Sequence, residues 1–257
     1  MSYETLIVSF RNSVCTMRMN RPEANNAINA RMIEEIGAVL AECESATRTP
    51  PVTIVVLEGL PEVFCSGGDF GAISASGADA EPADPEPLYD LWMRMATGPF
   101  VTISVVRGRV NAGGVGFVAA SDIVLADRSA SFGLSELLFG LFPACVLPFL
   151  VRRIGLQKAH YLTLMTSPIG AQEALDAGLA DALDDSADTL LRKHLLRLQR
   201  LGKPAIARYK RYVAGMAGEL ERCKPGALAT NREMFGDPQI RRNISRYVAE
   251  SKFPWEV

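Results

Sequence analysis

Val101–Val106 (VTISVV) runs into Gly108-Arg109-Val110-Asn111-Ala112-Gly113-Gly114-Val115-Gly116 and then into the apolar residues 117–120. A short β-branched run, a glycine-bearing turn and an apolar helical stretch make a strand–turn–helix unit. The same order occurs upstream, where residues 52–58 read as a buried strand ahead of Phe64-Cys65-Ser66-Gly67-Gly68-Asp69. On the N-terminal side, residues 6–10 and 14–19 read as an opening hairpin and 21–26 as a loop. Residues 30–43 carry Met32, Ile33, Ile36, Val39 and Leu40 at helical spacing, and 123–126 form a further strand before a turn at Asp127-Arg128. This alternation predicts an α/β core. From about Gln157 the pattern becomes helix after helix, including 171–177, 188–201 and 203–217. Between the two regions, residues 74–87 (SASGADAEPADPEP) hold almost nothing to bury and read as a mobile loop. They read either as a tolerated surface insertion or, from their place just after Gly67-Gly68, as a lid.

Composition narrows the function class. With 48% hydrophobic and 22% charged residues and a net charge of −2, the chain has no electrostatic footprint for nucleic acid. No apolar run reaches the ~18–20 residues that span a bilayer. The start, Met-Ser-Tyr-Glu-Thr, lacks the features of a signal peptide, so a cytoplasmic location is expected. Cys15, Cys43, Cys65, Cys145 and Cys223 are widely spread with no CxxC, which suggests neither a disulfide framework nor a zinc site.

Glycine lets a backbone approach a ligand closely or take positive φ. One N–H from each glycine turn, aimed at a common point, would make an oxyanion hole for a thioester carbonyl, while tight strand-to-helix packing is the other reading of either turn alone. Gly114-Val115-Gly116-Phe117-Val118-Ala119 also fits GxGxxA, but Asp127 comes too early to hold a ribose and the stretch lies mid-chain. There is no GxxxxGK[ST] loop and no GxSxG elbow, and His160 and His194 sit in helical patterns without a nucleophile nearby. Basic residues gather at Arg152, Arg153 and Lys158, and again over 192–200 and 203–211. Solvated helix faces account for such runs, or an acidic or phosphate-bearing partner does. One carboxylate is set among apolar residues: Glu136, in Ser131–Gly140 (SFGLSELLFG). Desolvation there raises a carboxyl pKa toward values useful in proton transfer.

Taken together, five stretches resemble the enoyl-CoA hydratase (crotonase) superfamily in its own motif order. They are Asn20-Arg21-Pro22 with Asn26-Ala27-Ile28-Asn29, Phe64 to Asp69, Gly108 to Asp122, Phe132 to Pro143, and Ala171 to Leu179. The resemblance implies a spiral core of repeated ββα units over residues 1–195 and a C-terminal helical trimerisation region over 196–257. It implies a homotrimer or dimer of trimers. By motif position it implies backbone N–H groups of Gly68 and Gly113 as oxyanion-hole donors and Glu136 as the second of two catalytic glutamates. The first glutamate falls on Gly116 and is therefore missing, with the space left beside the substrate's β-carbon.

A narrower likeness is to the dehydratases of polyketide β-branching cassettes. It rests on 106–117, on 135–140 with 143–150, and on Phe253-Pro254-Trp255-Glu256. It implies conversion of 3-hydroxy-3-methylglutaryl-ACP to 3-methylglutaconyl-ACP, where the acyl carrier protein (ACP) presents the substrate on its phosphopantetheine arm. No metal or redox cofactor is required. Asn111, Arg109, Arg107 and Tyr89 are candidates for the substrate's free carboxylate. The rival readings are the decarboxylase of the same cassettes, a CoA-dependent hydratase or isomerase, and a catalytically silent trimeric scaffold.

Overall fold

The computed structural model describes residues 3–45, 47–75 and 81–256. Strands β1 (Leu6–Arg11) and β2 (Val14–Met19) form the antiparallel opening hairpin. A 3-10 turn at Pro22–Ala24 leads to α1 (Ala30–Glu44), where the Asn29 side chain accepts from the Met32 amide at 2.9 Å. That cap satisfies one of the amides a helix start leaves open. Met32, Ile36, Val39, Leu40 and Cys43 form its buried face, as the spacing predicts.

Three similar units follow. β3 (Ile54–Glu58) and β4 (Val63–Cys65) precede α2 (Phe70–Ala75) and α3 (Glu86–Thr97). β5 (Val101–Val106) and β6 (Arg109–Asn111) precede α4 (Gly113–Ala120). β7 (Ile123–Asp127) and β8 (Ser131–Gly133) precede a 3-10 turn at Glu136–Phe139, then α5 (Leu147–Ile154) and α6 (Leu156–Met165). β9 (Ile169–Gly170), α7 (Ala171–Ala177), β10 (Ala182–Asp184) and α8 (Ala187–Leu198) complete the mixed region. The chain then closes with α9 (Lys203–Ala217), α10 (Glu219–Gly236) and α11 (Pro238–Glu250).

Each of the three units gives its first strand to one sheet and its second to another. The larger sheet has the order β1-β2-β3-β5-β7-β10 and is parallel beyond the hairpin. The smaller has the order β4-β6-β8-β9, with only β9 antiparallel. The expected α/β spiral of ββα units with C-terminal helices is the architecture observed. β3 and β5 are buried along nearly their whole length, as parallel strands covered on both faces must be.

Several ends shift by one residue, α8 ends at Leu198 rather than 201, and two further differences have a physical reason. β3 starts at Ile54 rather than residue 52, because the Thr53 amide turns to the Ser13 carbonyl at 2.9 Å. The stretch 74–87 is shorter as a loop than expected. Ser74 and Ala75 finish α2, while Glu86 and Pro87 begin α3, where proline is tolerated in a first turn that needs no amide donor. Residues 76–80 of that expected lid lie outside the described residues.

The C-terminal helices bear directly on the site. Phe139, Leu141, Met234, Ile240 and Ile244 form a separate apolar cluster, joined by Phe70, Tyr247 and Phe253. It fixes α11 against α2 and against the 3-10 turn that begins at Glu136.

Candidate active site

The N-terminal motif is a clamp on the first glycine turn. Asn26 is fully buried, and its side-chain amide donates to the carbonyls of Phe64 and Val63 at 3.0 and 3.3 Å. Its oxygen accepts from the Arg21 amide at 2.8 Å. The Ser66 amide donates to Asn25 O at 3.2 Å, and the Ile28 amide to Gly67 O at 2.8 Å. Arg21 reaches across to Asp69 at 3.2 Å and also donates to Ala27 O. The turn is thus held from both ends while the Gly68 amide is left with no protein acceptor among the described residues.

The second turn approaches the first closely. Gly67 has φ +97°, and a Cβ on it would meet the Ala112 Cβ at 2.7 Å and Gly113 N at 3.3 Å. A Cβ on Gly113 would stand 3.8 Å from Gly68 N. A side chain at 113 would therefore project in front of the Gly68 amide, which explains glycine there. Ala112 takes φ 49°, ψ −123°, a conformation that ordinary L residues rarely adopt and that costs roughly 1–3 kcal/mol. Its amide donates to Gly133 O at 2.9 Å and its carbonyl accepts from Val115 N at 2.9 Å, which hold the strained turn in place. The result is that Gly113 N–H opens α4 with no protein acceptor among the described residues. The Gly113 amide at the start of α4, where the helix dipole is positive, and the free Gly68 amide near it suit an anionic oxygen.

Glu136 is attached to this turn through its neighbour. The Asn111 side chain donates to Ser135 Oγ at 2.9 Å, so the segment carrying Glu136 is tied to the residue two places before Gly113. The Glu136 side chain is buried, with Leu134 and Phe139 on the same buried segment, and its Oε2 has no hydrogen-bond partner among the described residues. Burial raises its pKa from the usual 4.5 to about 7, opposed weakly by its own backbone N–H. A carboxyl in that range takes and returns a proton near neutrality.

Gly68, Gly113, Asn111 and Glu136 are therefore brought together. Two of the other candidates, Tyr89 and Arg107, are not. Tyr89 is fully buried, and its hydroxyl donates to Leu220 O at 2.7 Å, so it is a core residue and not a carboxylate ligand. Arg107 is occupied by Glu58 at 3.7 Å and by Asp188. Arg109 is exposed, on the same side of β6 as Asn111 by the period-2 alternation of a strand. Some members of the basic runs are also committed. Arg153 donates to Leu179 O and Ser121 O, Lys158 to Ala177 O, and Lys203 to Cys43 O. Lys210 is buried on Met95 O, Phe100 O and Asp122, the aspartate of the second glycine motif.

The expectation of empty space at Gly116 is overturned. A Cβ there would lie 2.3 Å from Trp92 Cζ2 and 2.6 Å from its Cε2 and Cη2. The indole of Trp92 fills that space, and the sequence reading did not single it out. Trp92 belongs to the buried face of α3, where its spacing looks like that of any core aromatic.

Comparison with known proteins places this arrangement. Residues 9–257 match the family described as enoyl-CoA hydratase/isomerase. Bacillaene synthase dehydratase PksH of Bacillus subtilis (strain 168) is 58% identical over 257 residues, covering 99% of this chain and 98% of its own. The 2,3-dehydroadipyl-CoA hydratase of Escherichia coli (strain K12) is 30% identical over 186 residues, covering 72% and 71%. A crystal structure of a Bacillus subtilis chain described as a polyketide biosynthesis enoyl-CoA hydratase (pksH) superposes with TM-score 0.94 at 57% identity, covering 98% and 100%. The chain belongs to the enoyl-CoA hydratase/isomerase family, and its fold is the crotonase fold.

Proposed function

We propose that this protein removes water from 3-hydroxy-3-methylglutaryl-ACP to give 3-methylglutaconyl-ACP in polyketide β-branching. The observation that carries the reading is a buried, unpartnered carboxyl, Glu136, with a near-neutral pKa, on a segment tied through Ser135 to the turn that bears the Gly113 amide, and with no second carboxylate at position 116. The 58% identity to a protein named as a dehydratase of bacillaene synthesis supports it.

In this mechanism the thioester oxygen accepts from the Gly68 and Gly113 amides. Glu136 takes a proton from C2, and negative charge moves onto that oxygen, where each donor contributes roughly 3–4 kcal/mol. The enolate then collapses. A C2=C3 double bond forms, the C3–O bond breaks, and the proton on Glu136 passes to the departing hydroxyl, which leaves as water. The carboxylate is regenerated, so a second acid is not needed. Near the second turn, Arg109 is the exposed cation that suits the free carboxylate of the substrate.

Exposed basic groups support the ACP reading. Arg208 and Arg211 are exposed on α9, in contrast to Lys203 and Lys210. An acidic ACP approaching such groups gains in encounter rate more than in affinity. Exposed Tyr209, Tyr212 and Met216 on the same helix suit burial in the proposed homotrimer or dimer of trimers. Among the described residues no helix is long and apolar enough to cross a membrane. We expect higher kcat/KM for 3-hydroxy-3-methylglutaryl-ACP than for the matching CoA ester, with the ACP rate falling as salt rises. Exposed charges are screened beyond about 8–10 Å at physiological ionic strength. Equal use of the CoA ester, unaffected by salt, would move the assignment to a CoA-dependent dehydratase.

A further inference from the structure

Trp92 carries an atom that the mechanism above does not use. Its side chain is 1% exposed, yet indole Nε1 has no hydrogen-bond partner among the described residues. Buried indole N–H groups ordinarily find an acceptor, because leaving one unmade is costly. Around the ring, Phe117 and Phe149 stand edge-on at centroid distances of 5.9 and 5.7 Å and offer no acceptor oxygen.

The place of the indole connects it to the chemistry. Gly116 lies three residues after Gly113 on α4, and residues at that separation are neighbours on one helix face. At the start of that face the Cβ direction of Gly113 points to the Gly68 amide, 3.8 Å away. One turn on, the Cβ direction of Gly116 runs into the benzo edge of Trp92, 2.3 Å from Cζ2 and 2.6 Å from Cε2, the carbon bonded to Nε1. The indole therefore lies along the face that begins at the paired amides. Four buried side-chain atoms lack a partner among the described residues: Arg48 Nε, Thr53 Oγ1, Trp92 Nε1 and Glu136 Oε2, of which the last belongs to the candidate base. An indole N–H only donates, and a carboxylate only accepts. A hydroxyl is the group that satisfies both, accepting from one and donating to the other.

We infer that the Trp92 indole N–H binds the 3-hydroxyl of the acyl chain and holds its oxygen as it departs. This rests on the dehydratase reading. Trp92 undergoes no covalent change: the C3–O bond breaks, the proton comes from Glu136, and the nascent water remains on Nε1–H. The charged carboxylate of the substrate does not suit this place, because the rings of Phe117 and Phe149 supply no cation to offset its desolvation.

The test is Trp92→Phe, which keeps a ring against Gly116 and removes the donor. Two carriers are compared, 3-hydroxy-3-methylglutaryl-ACP and 3-methylglutaryl-ACP, which lacks the hydroxyl. The variant is expected to exchange the C2 protons of 3-methylglutaryl-ACP with deuterated solvent at the wild-type rate, within about twofold. Its kcat for water loss from the hydroxylated carrier is expected to fall about tenfold or more. Unchanged water loss would overturn the inference, and so would exchange and water loss falling together, which marks a packing role. If Trp92→Phe does not fold, a Trp255→Phe protein labelled with benzothienylalanine replaces the remaining indole N–H by sulfur at nearly the same size. Its own reference is tryptophan-containing Trp255→Phe, and the same two rates are read. Wild-type protein that exchanges C2 protons but releases no water from the hydroxylated carrier would overturn the dehydratase reading and this inference with it.

Discussion

Glu136→Gln is expected to fold normally and to lose about 10²–10⁴-fold in the rate of water loss. The substitution keeps the size of the side chain and removes the group that takes the C2 proton. The pH behaviour is a second signature of the same residue. With a pKa of about 7, wild-type Glu136 is ionised and able to act as base above that pH, so kcat/KM is expected to rise through pH 7. Stability runs the other way. Between the ordinary value of 4.5 and about 7, the folded protein keeps a proton that the unfolded chain has lost. Stability therefore declines as pH rises through this window, and the penalty is fully present above it. A shift of this size corresponds to on the order of 3 kcal/mol. Glu136→Gln avoids the charge and is expected to exceed wild type in stability at pH 8, with the gap closing toward pH 5. Denaturant titrations at the two pH values check this. A variant within a fewfold of wild-type activity would remove Glu136 from the mechanism.

The second large effect concerns the packing of Gly116 on Trp92. With a Cβ placed 2.3 Å from the indole, Gly116→Ala is expected to destabilise by about 1–3 kcal/mol through overpacking. Glycine within a helix is otherwise a poor choice, costing roughly 0.5–1 kcal/mol relative to alanine. The sign of the substitution should therefore reverse when the obstacle is removed. In a Trp92→Leu background, Gly116→Ala is expected to be neutral or stabilising by up to about 1 kcal/mol. Additive effects in the double variant would show that the two residues do not compete for the same space. The same crowding bears on activity: introducing glutamate at 116 should displace the indole and not yield a two-carboxylate hydratase.

Much of the framework was legible because it depends on local pattern. Helix α1 is readable from Asn29 and the spacing of Met32, Ile36, Val39 and Leu40, all of which act within a few residues of one another. Strand 101–106 ends where its β-branched run ends, and 14–19 ends on the alternation of buried Met17 and Met19 about exposed Arg18. Gly68, Gly113 and Glu136 were reached through motifs whose backbone constraints are short in range, and the turns carrying them do come together. What escaped depends on contacts between distant segments. Tyr89 and Trp92 share the buried face of α3, and nothing in their spacing reveals that the tyrosine hydroxyl finds Leu220 O while the indole nitrogen finds no partner. Lysines are equally ambiguous. Lys210 lies in a basic run that suggests a solvated face, yet it is drawn inward by Asp122 and two carbonyls that lie on other elements.

The most direct measurement of the central claim is intact-mass analysis of 3-hydroxy-3-methylglutaryl-ACP incubated with the protein, with Glu136→Gln as the control. Loss of the mass of one water with wild type, and its near absence with Glu136→Gln, is the predicted result. An unchanged carrier mass with wild type, or equal water loss with both proteins, would contradict it.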